Sequence, residues 1–145
     1  MFRLYSNPVT MKHWDSPPHK TPDDTRHIHA QLSQPGERRY FVWDMGGEII
    51  GAGGIHAGDE LGFILHPEYW GKGLAREGAE AAMSHFWATT DAPRITAAAD
   101  PDNLASVGLL TRLGFRVTGF RREAMCVAGY WSDDVYFALA RPSDR

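Results

Sequence analysis

The sequence predicts an α+β fold, and three observations carry that prediction. Apolar runs of strand length at residues 40–43, 48–53 and 60–65 follow one another, separated by turn residues. After Pro67 the apolar and small residues recur at a spacing of four, which is the period of a helix that packs on one face. A buried run at 94–99 follows that helix, so the two flanking strands can run parallel across one β-α-β connection.

The first quarter of the chain is expected to consist of loops around one helix. Thr21 can cap that helix, Pro22 suits its first turn, and Pro35 with Gly36 ends it after about Gln34. A hairpin of strands 40–43 and 48–53 around the turn Asp44–Gly47 is predicted next, followed by a strand at 60–65. The predicted middle of the chain is a helix from Gly71 to about Thr89, a strand at 94–99 and a helix that Gly114 ends. The chain is then predicted to finish with strands at 115–120, 124–128 and 135–139, with a turn at 129–134.

Length and composition limit the number of domains and disfavour several classes of protein. A chain of 145 residues without internal repeats is the length of one compact domain, so residues 1–145 are predicted to form a single domain. The 15 Lys+Arg and 18 Asp+Glu give a formal net charge of -3, which disfavours a protein that neutralises many nucleic-acid phosphates. No apolar run approaches the ~20 residues that cross a bilayer, so no membrane partner is expected.

Cysteine usage and the start of the chain indicate a reducing compartment. Cys126 is the single cysteine, so it cannot form an internal disulfide or a multi-cysteine metal site, and no metal is predicted. The first residues contain no apolar stretch typical of a secretory signal. A cytoplasmic location is therefore expected.

The segment from Phe63 to Ala75 has the pattern of an anion site. A strand ends, a short loop with Gly71 and Gly73 follows, and a helix begins, so backbone N–H groups are left without partners at the helix start. Lys72 adds positive charge, and the spacing is neither that of a nucleotide-triphosphate loop nor that of a dinucleotide fingerprint. A strand-to-helix turn whose glycines only permit the bend is the alternative interpretation.

The run from Glu60 to Ala75 also resembles the acetyl-CoA motif of the GNAT N-acetyltransferases, whose core reads Arg/Gln-x-x-Gly-x-Gly/Ala. Gly73 and Ala75 match, while Trp70 replaces arginine or glutamine, as in the branch that resembles ribosomal-protein alanine N-acetyltransferases (RimJ/RimL-like). A second block at 103–115 resembles the Asn-x-x-Ser, helix, Leu-Gly-Phe element of the same family. Two blocks at the family's separation are more specific than either one alone.

The resemblance extends over roughly residues 9–140 and implies a GNAT fold, which is a mixed and mostly antiparallel sheet flanked by helices. It implies that strands 60–65 and 94–99 splay apart and that acetyl-CoA, the co-substrate, enters the gap between them. The pantetheine arm then bonds to strand backbone, and the pyrophosphate lies on the glycine loop. The cofactor-binding residues implied in this way are Ile64, Leu65, Trp70, Gly71, Lys72, Gly73, Leu74, Ala75 and Asn103.

The resemblance also suggests the catalytic residues. Glu60 matches a glutamate that some members use as the base, and Glu123 matches a glutamate after the Gly-Phe strand of the ribosomal-protein branch. Leu110 occupies the position of a tyrosine acid in many relatives, so Ser106 is the expected donor to the departing sulfur. The alternatives are surface carboxylates for Glu60 and Glu123, and a helix cap or packing residue for Ser106.

Several other side chains have weaker functional signals. In the loop after the chain start, His13, Trp14 and His19 are candidates for contact with the acceptor. The histidines at 27 and 29 are spaced by two on a predicted helix, so they do not share a face and are expected to be solvated. Two further expectations concern the end of the chain: Tyr130 and Trp131 line the cleft or cover the sheet, and Cys126 is a core residue.

The chain begins later than members of the resembling family, which start with a strand and a first helix. A missing first strand would leave a sheet edge with unpaired backbone, so a homodimer is expected. The leading functional hypothesis is an acetyl-CoA-dependent N-acetyltransferase whose acceptor is a primary amine, such as a protein N-terminus or a small molecule; aminoglycosides and polyamines stay open. The alternatives are a non-catalytic acyl-CoA-binding regulatory module and a purely structural interaction domain.

Overall fold

The computed structural model describes residues 1–33, 39–56 and 58–143. The elements in chain order are α1 (Phe2–Tyr5), α2 (Pro22–Leu32), β1 (Arg39–Met45), β2 (Glu48–His56), β3 (Glu60–Leu65), a 3-10 turn (Pro67–Tyr69), α3 (Leu74–Thr89), β4 (Arg94–Ala99), α4 (Leu104–Arg112), β5 (Arg116–Val127) and β6 (Tyr130–Ala140). The predicted α+β class is confirmed. Within the described residues, no helix is long and apolar enough to cross a membrane.

The strands form one six-stranded sheet in the order β1-β2-β3-β4-β6-β5. All neighbours are antiparallel except β3 and β4, which are parallel and joined through α3. Successive residues of a strand face opposite sides, so the sheet separates two apolar clusters. Helices α3 and α4 pack on one side around Ile55, Leu61 and Phe86, whereas α1 and the following loop cover Ala52 and Ile64 on the other.

The parallel strands β3 and β4 splay apart, as expected. They share one register pair, Glu60 with Thr96, and the Thr96 N–H donates to the Asp59 carbonyl at 2.8 Å. From that point towards Leu65 the two strands diverge, because no further residue of β3 pairs with β4 in the described chain. A gap therefore opens in the middle of the sheet.

Trp43 determines how closely α3 lies on the sheet. A Cβ placed on Gly51, Gly53 or Gly78 would come within 2.8, 2.6 and 2.3 Å of the indole ring, respectively. The ring is thus held between two glycines of β2 and one glycine of α3. These glycines serve close packing, since none of the three has a positive φ angle.

Replacement of Gly78 by valine is expected to lower the free energy of unfolding by about 2 to 3 kcal/mol, because an indole enclosed by β2 on its other side cannot retreat. Ala81→Val, at an exposed position of the same helix, is the control and is expected to cost only the smaller helix-propensity difference. Urea denaturation of the two variants measures both values. Equal losses for the two variants would contradict the packing described for Trp43.

Several element boundaries differ from those predicted. Helix α3 begins at Leu74 and not at Gly71, because Gly71 and Gly73 have φ angles of +72° and +77° that an α-helix does not contain. The runs predicted as strands 115–120 and 124–128 belong to one strand, β5, whose pairing with β6 shifts between Arg121 and Met125. The turn that follows lies at residues 128–129, where both residues have positive φ angles, rather than at 129–134.

Differences also occur at the start of the chain. Residues 2–5 form a short helix within the region predicted as loop, and α2 ends at Leu32. The predicted stop at Pro35 and Gly36 lies outside the described residues.

Strand β1 lies at one edge of the sheet and exposes Phe41 and Val42. The homodimer stays a prediction.

Candidate active site

The gap between β3 and β4 is the floor of a cleft of about 960 Å³. The loop between α1 and α2 forms one wall, and the starts of α3 and α4 form the other walls. The connection after a parallel strand leads directly into each of these helix starts, so the topology brings both to the same edge of the sheet. The cleft therefore combines open strand backbone with two helix N-termini.

The backbone groups that face the gap can be assigned from the alternation of the strand. The carbonyl oxygens of Gly62 and Ile64 point to β2, since they lie 3.1 and 2.6 Å from Cβ positions built on Gly53 and Gly51. Successive peptide groups of a strand point in opposite directions, so the backbone groups of Leu61, Phe63 and Leu65 face the gap. Of the two strand residues expected to contact the pantetheine arm, Ile64 and Leu65, it is Leu65 that directs its backbone into the gap.

Trp70 makes a hydrogen bond to one of these backbone groups. Its indole Nε1–H donates to the Leu65 carbonyl at 2.7 Å, and its ring is half exposed at the edge of the cleft. The indole thus fixes the loop after β3 against the end of that strand. The N–H of Leu65 and both backbone groups of Phe63 stay directed into the gap.

The glycine loop forms a concave surface at the start of α3. A Cβ on Gly71 or on Gly73 would meet nothing within 4 Å, so both glycines border open space. The first bond inside the helix runs from the Glu77 N–H to the Gly73 carbonyl at 3.0 Å. The N–H groups of Leu74 and Ala75 therefore have no acceptor within the helix and are free to bind an anion.

Basic side chains near this surface differ in their placement. Lys72 is turned outwards: its Nζ donates to the Glu68 carbonyl at 3.1 Å and lies 5.2 Å from the centre of the Tyr69 ring. Arg76 lines the cleft while its Nε donates to Glu80 at 2.7 Å. Arg76 was not among the predicted residues, although its place in the first turn of the helix after a glycine loop is a usable signal.

The start of α4 provides the opposite wall. Asn103 caps this helix, and its Oδ1 accepts from the Ser106 N–H at 3.2 Å. The cap is thus Asn103 and not Ser106, which leaves the Ser106 hydroxyl without a capping role. Both side chains line the cleft. Leu110, one turn beyond Ser106, lines the cleft as a buried apolar residue.

Glu60 lies where the gap begins, in the one residue pair that joins β3 and β4. Partial burial raises the pKa of its carboxyl group above the usual value, and the carboxylates of Asp134 and Asp15 raise it further. Burial first, and then Asp100, likewise raises the pKa of Asp134. A carboxylate with a raised pKa at the opening of a cleft has the properties of a general base.

Glu123 lies elsewhere. It is exposed on β5, at the irregularity in the pairing of that strand with β6, and does not belong to the residues that line the cleft. Its backbone N–H donates to Asp133 Oδ1 at 2.9 Å, and its φ angle is +47°. Met125, two residues further along the strand, is the residue of this stretch that lines the cleft.

The loop between α1 and α2 contributes a histidine and an indole. His13 Nδ1 lies 2.9 Å from Asp100 Oδ2, and Asp100 Oδ1 accepts from the Asp102 N–H at 2.8 Å, so the loop is tied to the end of β4. Trp14 also lines the cleft. His19 lies outside it and stacks on the Tyr5 ring with centroids 5.0 Å apart. Asp100 was not among the predicted residues.

The remaining candidates lie away from the cleft. Tyr130 and Trp131 are exposed at the turn between β5 and β6 and do not line it. Cys126 is exposed, so its assignment to the core was wrong, because its side chain faces outwards on a strand at the sheet edge. The two histidines of α2 at 27 and 29 are exposed as expected. Among the described residues no group of His, Cys, Asp and Glu is arranged to hold a metal ion.

Comparison with known proteins identifies the family. Residues 1–116 match the acetyltransferase (GNAT) domain model. The chain is 37% identical over 103 residues to the ribosomal protein uS5 alanine N-acetyltransferase of Escherichia coli (strain K12), which is 66% of this chain and 53% of that protein. It spans about half the length of the first curated relatives that it matches, 47% in one case and 53% in another.

A second relative matches over more of the chain. The spermidine N(1)-acetyltransferase of Escherichia coli (strain K12) is 28% identical over 147 aligned residues, which cover 94% of this chain and 77% of that protein. Among solved structures, the spermidine N-acetyltransferase from Vibrio cholerae, in complex with CoA and spermine, superposes with a TM-score of 0.81. That match has 22% identity and covers 97% of this chain and 87% of the other, so it supports the shared fold.

Proposed function

The chain belongs to the acetyltransferase (GNAT) family, and we propose that it transfers the acetyl group of acetyl-CoA to a primary amine. One observation supports this proposal above the others: the gap between β3 and β4 and the glycine loop at the start of α3 open into the same cleft. Acetyl-CoA carries its thioester on a long pantetheine arm that ends in a diphosphate, so its binding requires both the gap for the arm and the glycine loop for the diphosphate. The curated relatives described above carry out N-acetyl transfer to amines.

The residues of the cleft fit acetyl-CoA chemically. The N–H groups of Leu74 and Ala75 suit the diphosphate, since helix N-termini bind anions and the absent side chains of Gly71 and Gly73 leave room. The free backbone groups of Phe63 and the N–H of Leu65 suit the amides of the pantetheine arm, with Asn103 on the opposite wall. Trp70 positions this loop by its bond to the Leu65 carbonyl.

Acetyl-CoA supplies an acetyl group bound as a thioester, which an uncharged amine can attack. An acceptor that binds as an ammonium ion cannot attack until it has lost a proton, and Glu60, which lines the cleft, accepts that proton directly or through water. The new C–N bond replaces the C–S bond, the sulfur leaves as a thiolate, and the proton that the nitrogen loses on becoming an amide passes to water or to that thiolate. Ser106, whose hydroxyl has no capping role, donates a hydrogen bond to that thiolate.

The acceptor is proposed to be a primary amine. It is either weakly basic, so that much of it is uncharged at neutral pH, or more basic, so that Glu60 must remove a proton from its ammonium form. At pH 7.4 an α-amine with a pKa of about 7.8 lies within about 0.5 kcal/mol of its neutral form, whereas an amine with the pKa of lysine, about 10.4, costs about 4 kcal/mol. This difference favours an N-terminal α-amine, in line with the similarity to the ribosomal protein uS5 alanine N-acetyltransferase. The match to a spermidine acetyltransferase supports a small polycationic acceptor instead.

The proposal is tested by thermal unfolding with and without acetyl-CoA, followed by measurement of free thiol with a panel of amines. Ligand at 100-fold its dissociation constant adds about 2.7 kcal/mol, which corresponds to about 5 to 10 °C for a domain of this size. A shift in Tm together with amine-dependent thiol release is the expected result. A shift without release for any amine would identify a non-catalytic acyl-CoA-binding module, and no shift would overturn the assignment of the glycine loop.

A further inference from the structure

A second cavity, of about 210 Å³, lies behind the cleft. We name it the tyrosine cavity and define it by Tyr5, Trp14, Asp15, His19, Tyr40 and His56, which line it. Trp14, Asp15 and His56 line the cleft as well, so the two spaces adjoin along these side chains. None of the roles described above uses Tyr5 or Tyr40.

The tyrosine cavity meets the cleft beside Glu60. His56 is the cross-strand partner of Glu60 in the register of β2 and β3, and such partners have Cβ atoms about 4.5 to 5.5 Å apart. Gly62 allows this arrangement, since a Cβ there would lie 2.7 Å from the His56 ring and 3.8 Å from the Tyr40 hydroxyl. The tyrosine cavity therefore adjoins the cleft at His56, next to Glu60.

Two hydroxyl groups in the tyrosine cavity have no partner among the described residues. Tyr5 is 1% exposed, and neither its hydroxyl nor that of Tyr40 makes a hydrogen bond. Buried hydroxyls in folded proteins almost always have a protein or solvent partner. Both hydroxyls thus have unused hydrogen-bonding capacity beside the cavity.

The charges around the tyrosine cavity determine which kind of ligand group it favours. Burial raises the pKa of Tyr5 to about 12, and the Asp15 carboxylate adds to this effect. Burial, followed by Tyr5 and Asp15, also raises the pKa of Tyr40. Both phenols are therefore uncharged at neutral pH and offer lone pairs, next to the Asp15 carboxylate. Among the described residues that line the cavity there is neither lysine nor arginine, and the rings of Tyr5 and Trp14 add aromatic surface, which attracts cations.

We propose that the tyrosine cavity is an acceptor subsite that binds a second, positively charged hydrogen-bond donor, such as an ammonium group, carried on the same chain as the reacting amine. Tyr5 and Tyr40 accept its hydrogen bonds, and Asp15 balances its charge. A carboxylate at the same position is rejected by Asp15. This inference rests on the proposed function, because it identifies the class of amine that the cleft acetylates.

The experiment compares acceptors that differ only at the end remote from the reacting amine: diaminobutane, aminobutanol, butylamine and aminobutyrate. Calorimetric titration into the CoA-saturated protein measures binding, and thiol release from acetyl-CoA measures kcat/KM. Diaminobutane is expected to bind about tenfold more tightly than butylamine, and aminobutyrate more weakly than either. Tyr5→Phe and Tyr40→Phe are each expected to reduce the preference for diaminobutane about fivefold and to leave butylamine unchanged.

Tyr130→Phe is the matched control, because Tyr130 is 81% exposed and lies outside both cavities. The phenylalanine variants should fold, since they remove hydroxyls that bond to no other described residue, and their Tm is expected to equal or exceed that of the wild type. Equal binding of diaminobutane and butylamine, tighter binding of aminobutyrate, or an unchanged preference in both variants would overturn the subsite.

The subsite and the proposed reaction fail in different ways. Absence of turnover with every amine, together with a preference for diaminobutane that Tyr5→Phe removes, supports the subsite and overturns the reaction. Turnover of all the amines without preference overturns the subsite and supports the reaction.

Discussion

Replacement of Glu60 by glutamine is expected to lower kcat at neutral pH by about 10²- to 10³-fold, within the range that a positioned general base contributes. Glutamine keeps the shape of the side chain and the hydrogen-bonding oxygen but cannot accept the amine proton. Because the change acts on the chemical step, binding of CoA should stay the same. Steady-state kinetics with thiol detection and a CoA titration separate the two quantities.

The pH dependence of the reaction provides a second readout. The pKa of Glu60 is raised by its partial burial and by Asp134 and Asp15, so the carboxylate form is populated only above that raised value. Wild-type kcat is therefore expected to increase as the pH increases through this pKa and then to level off. The Glu60→Gln variant is expected to lack this increase, whatever its residual rate.

Glu123→Gln is the matched control, because it makes the same chemical change at an exposed position outside the residues that line the cleft. It is expected to leave kcat and its pH dependence unchanged. The reverse pattern, with loss of activity in Glu123→Gln and not in Glu60→Gln, would assign the base to Glu123. The sequence alone could not choose between the two glutamates, so this comparison decides between them.

The same raised pKa has a consequence for stability, with a definite sign. A carboxyl group whose pKa is higher in the folded than in the unfolded state binds more protons when folded, so stability falls as the pH rises through the interval between the two pKa values. At neutral pH the charged Glu60 therefore costs stability, and Glu60→Gln is expected to unfold at a slightly higher temperature. Functional sites commonly show this opposition of activity and stability.

The sequence predicted the parts of this molecule that depend on short-range pattern. The strand at 60–65, the glycine loop and the following helix are adjacent in the chain, and their composition is sufficient to recognise a strand-to-helix connection through a glycine loop. Asn103 and Ser106 could be placed at the start of a helix for the same reason, because the pattern that identifies this helix start is local. The splay between β3 and β4 was implied by the family resemblance rather than by any local signal.

Features that depend on contacts between distant segments were not predictable. No local pattern shows that Asp100 holds His13, or that Tyr5 and Tyr40 leave their hydroxyls in one cavity. The irregularity in β5 is a further example: it shifts the register with β6 before Met125, which decides that Met125 and not Glu123 lines the cleft. Four residues of β5 span two of β6 there, which interrupts the regular alternation of side chains, so sequence position alone could not assign them to a face.

Replacement of Gly73 by alanine is expected to weaken CoA binding by about 10- to 100-fold, which corresponds to the loss of one or two hydrogen bonds to a charged group. The added methyl group would project into the open space beside the free N–H groups of Leu74 and Ala75 and hold a phosphate away from them. Because the φ angle at Gly73 is +77°, alanine also adds backbone strain of about 1 kcal/mol. A loss of affinity could therefore arise from strain alone.

Gly47→Ala separates the two causes. Gly47 has a φ angle of +89° and, like Gly73, nothing within 4 Å of a Cβ, but it lies in the turn between β1 and β2 and outside the cleft. Both variants are expected to lose similar stability, and only Gly73→Ala is expected to lose affinity in a CoA titration. Equal affinities in the two variants would mean that the glycines of the loop permit its bend and that the diphosphate binds elsewhere.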